Sequence, residues 1–237
     1  MKKEKAEGIF TGAEKERTWL FEGQEVLRLH MEYPTVSPQC GHLRRFARYY
    51  RGFAGSYERY CDRFLFPEAA EDYRARLAAS RPFSPHEAEM TWQSVLQTDG
   101  LFSLYIDTRE TENGRTENLI RRADTWNLYD GFPLRLGDFF PAELFFRRRL
   151  LKQLRRELLL RQSEGLKLRE DWKHRLLSCF NAENFYLSEK GLHLYYQMYA
   201  LAGEEAGIPV FLFPWNREKG PRLGKEFSPA AEAGENA

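Results

Sequence analysis

The chain has 237 residues, 42% hydrophobic and 15% aromatic. That excludes a disordered middle and suits one core burying roughly 70% of the surface the unfolded chain exposes. The 36 Lys and Arg nearly cancel the 35 Asp and Glu, leaving a formal charge of +1. This excludes a global field drawing the chain to nucleic acid or an anionic membrane and leaves any electrostatic role to local patches.

The start, Met1 to Glu7, is charged and no apolar run follows it, so it lacks the hydrophobic stretch of a signal peptide. No segment reaches the roughly 20 apolar residues of a spanning helix. As written, the chain reads as cytoplasmic, and as extracytoplasmic if a leader has been removed. Cys40, Cys61 and Cys179 are odd in number and widely spaced, which fits reduced thiols rather than a disulfide framework. Cys40-Gly41-His42 offers two possible metal ligands but no downstream partner pair, so no metal site and no cofactor motif is expected.

Residues 1–17 and 219–237, charged or rich in Gly, Pro, Ala and Glu, read as flexible tails around a single domain over 18–218. Val26 to Tyr33 alternates strictly, with Leu27, Leu29, Met31 and Tyr33 on one face, which predicts a strand ended by Pro34. From Gly41 to Ala79 the period changes. Leu43, Phe46, Tyr50, Phe53, Tyr57, Tyr60 and Phe64 form an aromatic helical stripe, read as core packing, with Pro67 as its breaker. Alternating runs follow at Met90–Leu96 and Phe102–Thr108, the second with Phe102, Leu104 and Ile106 inward. Asn113-Gly114, both tolerant of positive φ, then predicts a tight hairpin into a strand over about 116–129.

Asp138 precedes a helical segment whose seam is Leu144, Leu151, Leu154 and Leu158. Its other faces carry Arg147, Arg148, Arg149, Lys152, Arg155, Arg156 and Arg161, interleaved by Glu143, Glu157 and Glu164. A shorter helix follows over about 170–180, with Trp172, Leu176 and Phe180 at successive turns. Phe185–Ser188 and Leu192–Met198, joined through Gly191, form a second hairpin, and Ile208 to Pro214 is a proline-flanked edge strand. Strands and helices come in blocks. This predicts an α+β fold: an antiparallel meander and a C-terminal hairpin packed with a long N-terminal helix and two further helices.

Motifs that carry chemistry are few. There is no G-x-S-x-G, and Gly220 to Lys225 lacks the spacing and hydroxyl of a phosphate loop. His30, His42, His86, His174 and His193 are scattered, and His30, His86 and His193 read as outward-facing strand residues. Acid pairs such as Asp107 with Glu110, or Glu204 with Glu205, read as solvated.

The segment Asn184-Phe185-Tyr186-Leu187-Ser188-Glu189-Lys190-Gly191-Leu192-His193-Leu194-Tyr195-Tyr196-Gln197-Met198-Tyr199, with Ala206-Gly207-Ile208-Pro209, resembles a bacterial domain of unknown function. That domain forms the extracellular part of RsiV-like anti-sigma factors, which bind lysozyme, and accompanies some polysaccharide deacetylases. Tyr33-Pro34-Thr35-Val36-Ser37 and Leu136-Gly137-Asp138-Phe139-Phe140 are similar to further pieces of the family. The family's glycine-rich turn is replaced here by Thr111-Glu112-Asn113-Gly114-Arg115. The resemblance implies an α+β binding domain without a catalytic centre.

The leading expectation is a non-catalytic binding or sensory module for a protein or cell-envelope ligand, with no nucleic-acid partner and no membrane span. Exposed aromatics are the usual interface anchors, so Trp126, Tyr129, Tyr199 and Trp215 are the candidate ligand-binding residues; the alternative is that they close the core. Two other functions stay open: an enzyme acting on cell-wall carbohydrate, with carboxylates or His193 as acid and base, and an anionic-polymer binder using the helix from Arg147 to Arg161.

Overall fold

The computed structural model of the chain describes residues 9–37, 40–140, 145–216, 220–224 and 227. Glu143, Leu144 and the outer parts of both tails lie outside them. The fold is mixed α+β, with six strands in the order β1-β2-β3-β4-β5-β6 and a separate sheet β7-β8-β9. The chain divides into two compact units. One is Glu7–Gln93 with Ile106–Arg121; the other is Ser94–Tyr105 with the chain from Arg122 onward.

In the first unit, β1 (Phe10–Phe21) and β2 (Gln24–Val36) pair antiparallel across a turn in which Glu22 and Gly23 take positive φ. β1 occupies much of the stretch expected to be a tail. It escapes the alternation test because only Trp19 is buried along it, as suits a charged edge strand. Polar contacts tie it down instead. The Trp19 indole donates to Asp62 at 2.6 Å, Arg17 pairs with Asp62 at 2.8 Å and Lys15 with Glu58 at 2.6 Å.

β2 runs through Pro34 to Val36. Its parallel pairing with β3 (His86–Gln97) spans only Leu27–Met31, so the missing proline N–H falls where β3 needs none. A parallel pair requires a crossover, and the aromatic helix supplies it. α1 (Arg44–Tyr60), a π-helical turn (Cys61–Leu65) and α2 (Phe66–Ala78) run without interruption. Pro67 therefore does not break the helix: it follows directly on the π turn, where the regular α-helical hydrogen bonding is already shifted. The π turn shifts the helical phase. Phe46, Tyr50 and Tyr57 are buried as expected, but beyond the shift Leu65 turns inward and Phe64 stands 61% exposed.

β4 (Leu101–Glu112) and β5 (Arg115–Asn127) flank Asn113 and Gly114, at φ 50° and 75°, as the hairpin reading requires. In the second unit, α3 (Phe146–Ser163) and α4 (Trp172–Ser178) share a core with the small sheet. Leu150, Leu154 and Leu158 meet Trp172, Leu176, Leu187, Leu194 and Phe211 there. β7 (Phe185–Ser188) and β8 (Gly191–Tyr195) form the predicted hairpin, and β9 (Val210–Pro214) is its edge strand. Buried Ser103 of β4 accepts the Leu187 N–H at 2.8 Å and lies 2.9 Å from the Thr125 hydroxyl, so none of these buried polar groups is orphaned.

Candidate functional site

The four aromatic candidates occupy different environments. Trp126, near the end of β5 where β6 (Phe132–Pro133) pairs with it, is 2% exposed and belongs to the core, so it cannot anchor a ligand from the surface. Trp215 is half-buried. Its indole donates to the Ser188 carbonyl at 3.1 Å and its ring lies 6.4 Å from Phe139, which closes the end of the β7–β8 hairpin. Tyr199 is 38% exposed and holds a positive φ of 62°, a conformation that costs a tyrosine about 1 kcal/mol or more.

Tyr129, 63% exposed, sits in the turn between β5 and β6. This turn is built by side chains. Asn127 Oδ1 accepts the Tyr129 N–H at 2.9 Å, Asp130 Oδ1 accepts the Phe132 N–H at 2.9 Å, and the Asn127 amide donates to Asp130 Oδ2 at 2.9 Å. Gly131 takes φ 71° and donates to the Asn127 carbonyl at 2.9 Å. The Tyr129 ring also lies over Gly100, where an added Cβ would collide with it. Phe132, which the sequence reading missed, stands 50% exposed on the same turn. The signal for it was present in Asn127-x-x-Asp130-Gly131, residues that bend the backbone by local hydrogen bonding.

Two constellations of titratable groups stand apart from these aromatics. In the first unit, His86 opens β3, Glu112 closes β4 and Asp72 faces them from α2. His86 is only 5% exposed, against the expectation of an outward-facing residue. Its Nε2 lies 3.3 Å from Asp72 Oδ2 and its Nδ1 3.8 Å from Glu112 Oε1, while Arg76 grips both Asp72 oxygens at 2.8 and 2.9 Å. A cavity of about 330 Å³ adjoins them, lined also by Tyr60, Glu68, Glu110 and Glu117. Burial works to raise the Asp72 pKa, but Arg76 and His86 outweigh it and hold this carboxyl below its ordinary range. Glu112 moves the opposite way. Burial lifts it, His86 opposes, and Glu68 and Glu117 add repulsion. Burial and then Glu110 push the Tyr60 phenol up to about 12. Among the described residues no group of three or more His, Cys, Asp or Glu could hold a metal ion.

In the second unit, Ser188 Oγ and His193 Nε2 lie 2.8 Å apart on the β7–β8 hairpin. Burial, then Lys190, lowers the His193 pKa, so the imidazole is neutral at pH 7 and can accept the hydroxyl proton. Ser188 Oγ also accepts the Lys190 N–H at 3.1 Å, which bends the hairpin, and the imidazole stacks on Tyr186 at 4.7 Å. Gly191 completes this turn at φ 154°, where any Cβ would strike the Phe213 carbonyl.

Residues 138–216, covering α3, α4 and the β7–β9 sheet, match the DUF3298 family model, described as a protein of unknown function. A member of the DUF3298 family from Bacteroides fragilis shares the fold with a TM-score of 0.58 at 16% identity, covering 86% of this chain and 89% of that one. A DUF3298 family protein from Pseudomonas aeruginosa does so with a TM-score of 0.61 at 14% identity, covering 94% and 97%. No curated protein matches the chain. No helix among the described residues is long and apolar enough to cross a membrane. The chain thus carries a DUF3298 match over residues 138–216 and the fold seen in two proteins of that family.

Proposed function

We propose that this chain is a non-catalytic binding module for a protein or cell-envelope ligand, and that the turn bearing Tyr129 and Phe132 makes the contact. One observation carries the reading. Two aromatic side chains, each at least half exposed, are presented on a turn whose backbone is already fixed by Asn127 and Asp130. Large rings supply contact area at small entropic cost, and a braced turn has little order left to lose on binding. The experiment captures partners of the tagged chain from separate cytoplasmic and envelope extracts at low and high salt. Wild type is compared with Tyr129→Ser/Phe132→Ser, with unchanged thermal unfolding as the folding control. A salt-resistant envelope protein or glycan lost by the double substitution is the expected result. Equal capture by both chains would remove the turn from the reading.

A second reading, an enzyme acting on cell-wall carbohydrate, draws on the Ser188–His193 pair. A hydroxyl hydrogen-bonded to a neutral imidazole is the beginning of an acyl-transfer site. It predicts release of acetate from acetylated wall fragments by the pure chain, abolished in Ser188→Ala. No release from wild type rejects it.

A further inference from the structure

We propose that the groove between α3 and α4 docks an acidic amphipathic helix of a partner protein. The groove encloses about 740 Å³. Leu151, Leu176, Leu177 and Phe145 give it apolar walls, with Leu177 62% and Phe145 72% exposed. Arg148, Arg149, Lys152, Arg155 and Lys173 line it as well, and no carboxylate among the described residues does. This surface is separate from the turn of Tyr129 and Phe132, so the two proposals stand or fall independently.

The cations are poorly explained by folding. Arg147, Arg148 and Arg149 fall in the first turn of α3, which holds no acidic residue, and there the positive end of the helix dipole repels them. Arg148 and Lys152 are like charges at i and i+4, a spacing that weakens a helix. Two cations outside the groove are paired with acidic neighbours along the chain, and Arg147 lies over the Phe180 ring at 5.1 Å. Arg161 pairs with Glu157 at 2.9 Å and Arg175 with Asp171 at 2.8 Å. Among the described residues, Arg148, Lys152 and Arg155 have no such ion pair. Of the interleaving glutamates, the two within the described residues, Glu157 and Glu164, do not line the groove. Local choices that oppose folding mark positions kept for something else.

The chemistry of the occupant follows from what the groove displays. Arg148, Lys152 and Arg155, with no carboxylate beside them in the described lining, call for an acidic ligand, and the leucines between call for an apolar stripe on that ligand. An amphipathic helix with acidic flanks supplies both in one element. A bilayer is flat and reaches the rim of a concavity rather than its leucines. A single-stranded nucleic acid needs aromatic faces for stacking, and among the described residues Phe145 is the one ring in this lining.

The test uses the full chain and a labelled synthetic peptide with leucines at i, i+3, i+4 and i+7 and glutamates on its flanks, read by fluorescence anisotropy. Polyglutamate, phosphatidylglycerol vesicles and an oligothymidylate serve as competing probes. We expect saturable binding of the peptide that weakens on the order of tenfold between low and physiological salt. Arg148→Glu/Arg155→Glu should reduce the affinity by about tenfold or more. Phe145→Ser/Leu177→Ser should cost about fivefold with unchanged salt dependence, because it removes apolar contact alone. No peptide binding, binding unaffected by either double substitution, or polyglutamate, vesicles or oligonucleotide binding as tightly as the peptide would overturn the proposal.

Discussion

The pocket beside His86 and the groove between α3 and α4 are both charged concavities, and they handle charge in opposite ways. Around His86 the charges are answered internally. Asp72 meets an arginine and the imidazole, and the imidazole meets a second carboxylate. Along the groove Arg148, Lys152 and Arg155 face solvent beside exposed leucine and phenylalanine. Charge that is paired within the fold is part of its stability. Charge left unanswered on a surface with apolar neighbours contributes little to folding and is available to a ligand.

The largest expected effect tests the first half of this contrast. Asp72→Ala leaves a buried imidazole and Arg76 without their shared partner, and should destabilise the chain by about 2 kcal/mol. Urea unfolding measures it, and a cost below a few tenths of a kcal/mol would make the cluster a bystander.

A smaller effect is its pH dependence. Asp72 has a folded pKa below its ordinary 3.8, so its stabilisation is fully present above that value and is lost as pH falls through the folded pKa. Glu112 has a folded pKa above its ordinary 4.5, so its penalty is absent in acid, grows as pH rises through that window and is complete above the folded pKa. Glu112→Gln should therefore raise stability at pH 7 by about 0.5 kcal/mol after solvent screening, with the gain vanishing near pH 3. Asp72→Asn should lose stability at pH 7 and approach wild type in acid. Thermal unfolding across pH 3 to 8 checks both signs, and parallel curves for the two variants would contradict the opposed pKa shifts.

The smallest effect belongs to the groove. Arg148→Glu/Arg155→Glu should change folding stability by no more than about 0.5 kcal/mol, and in the favourable direction, since the change at Arg148 places acid near the start of α3. A large loss in urea unfolding would show that these arginines serve the fold after all.

How much of this was legible in the sequence depended on whether the cause was local. Asn113-Gly114 announced its hairpin because positive φ is a property of two residues, and the turn before Gly191 was readable for the same reason. β1 was not legible, since its partners Glu58 and Asp62 lie about 40 positions away and its own pattern is polar on both faces. His86 was half-legible. It is in phase with buried Ala88 and Met90, but a strand read from Met90 starts too late to show it. The exposure of Phe64 depended on a π turn, which no periodicity signals. Of the aromatic candidates, Tyr129 and Trp126 carry the same type of signal three residues apart, and where β5 ends separates the buried one on the strand from the exposed one in the turn beyond it.

The π turn also gives the chain a chemical clock. Cys61 opens it with a fully buried thiol that burial, then Glu110 and Asp62, pushes up to about 12. A thiol so shielded reacts with an alkylating reagent only when the crossover helix opens. Cys179, partly exposed at the C-terminal end of α4, is reachable by the reagent without that opening. The two modification rates, followed by mass spectrometry in one tube, read the breathing of the long helix against an internal reference that never closes.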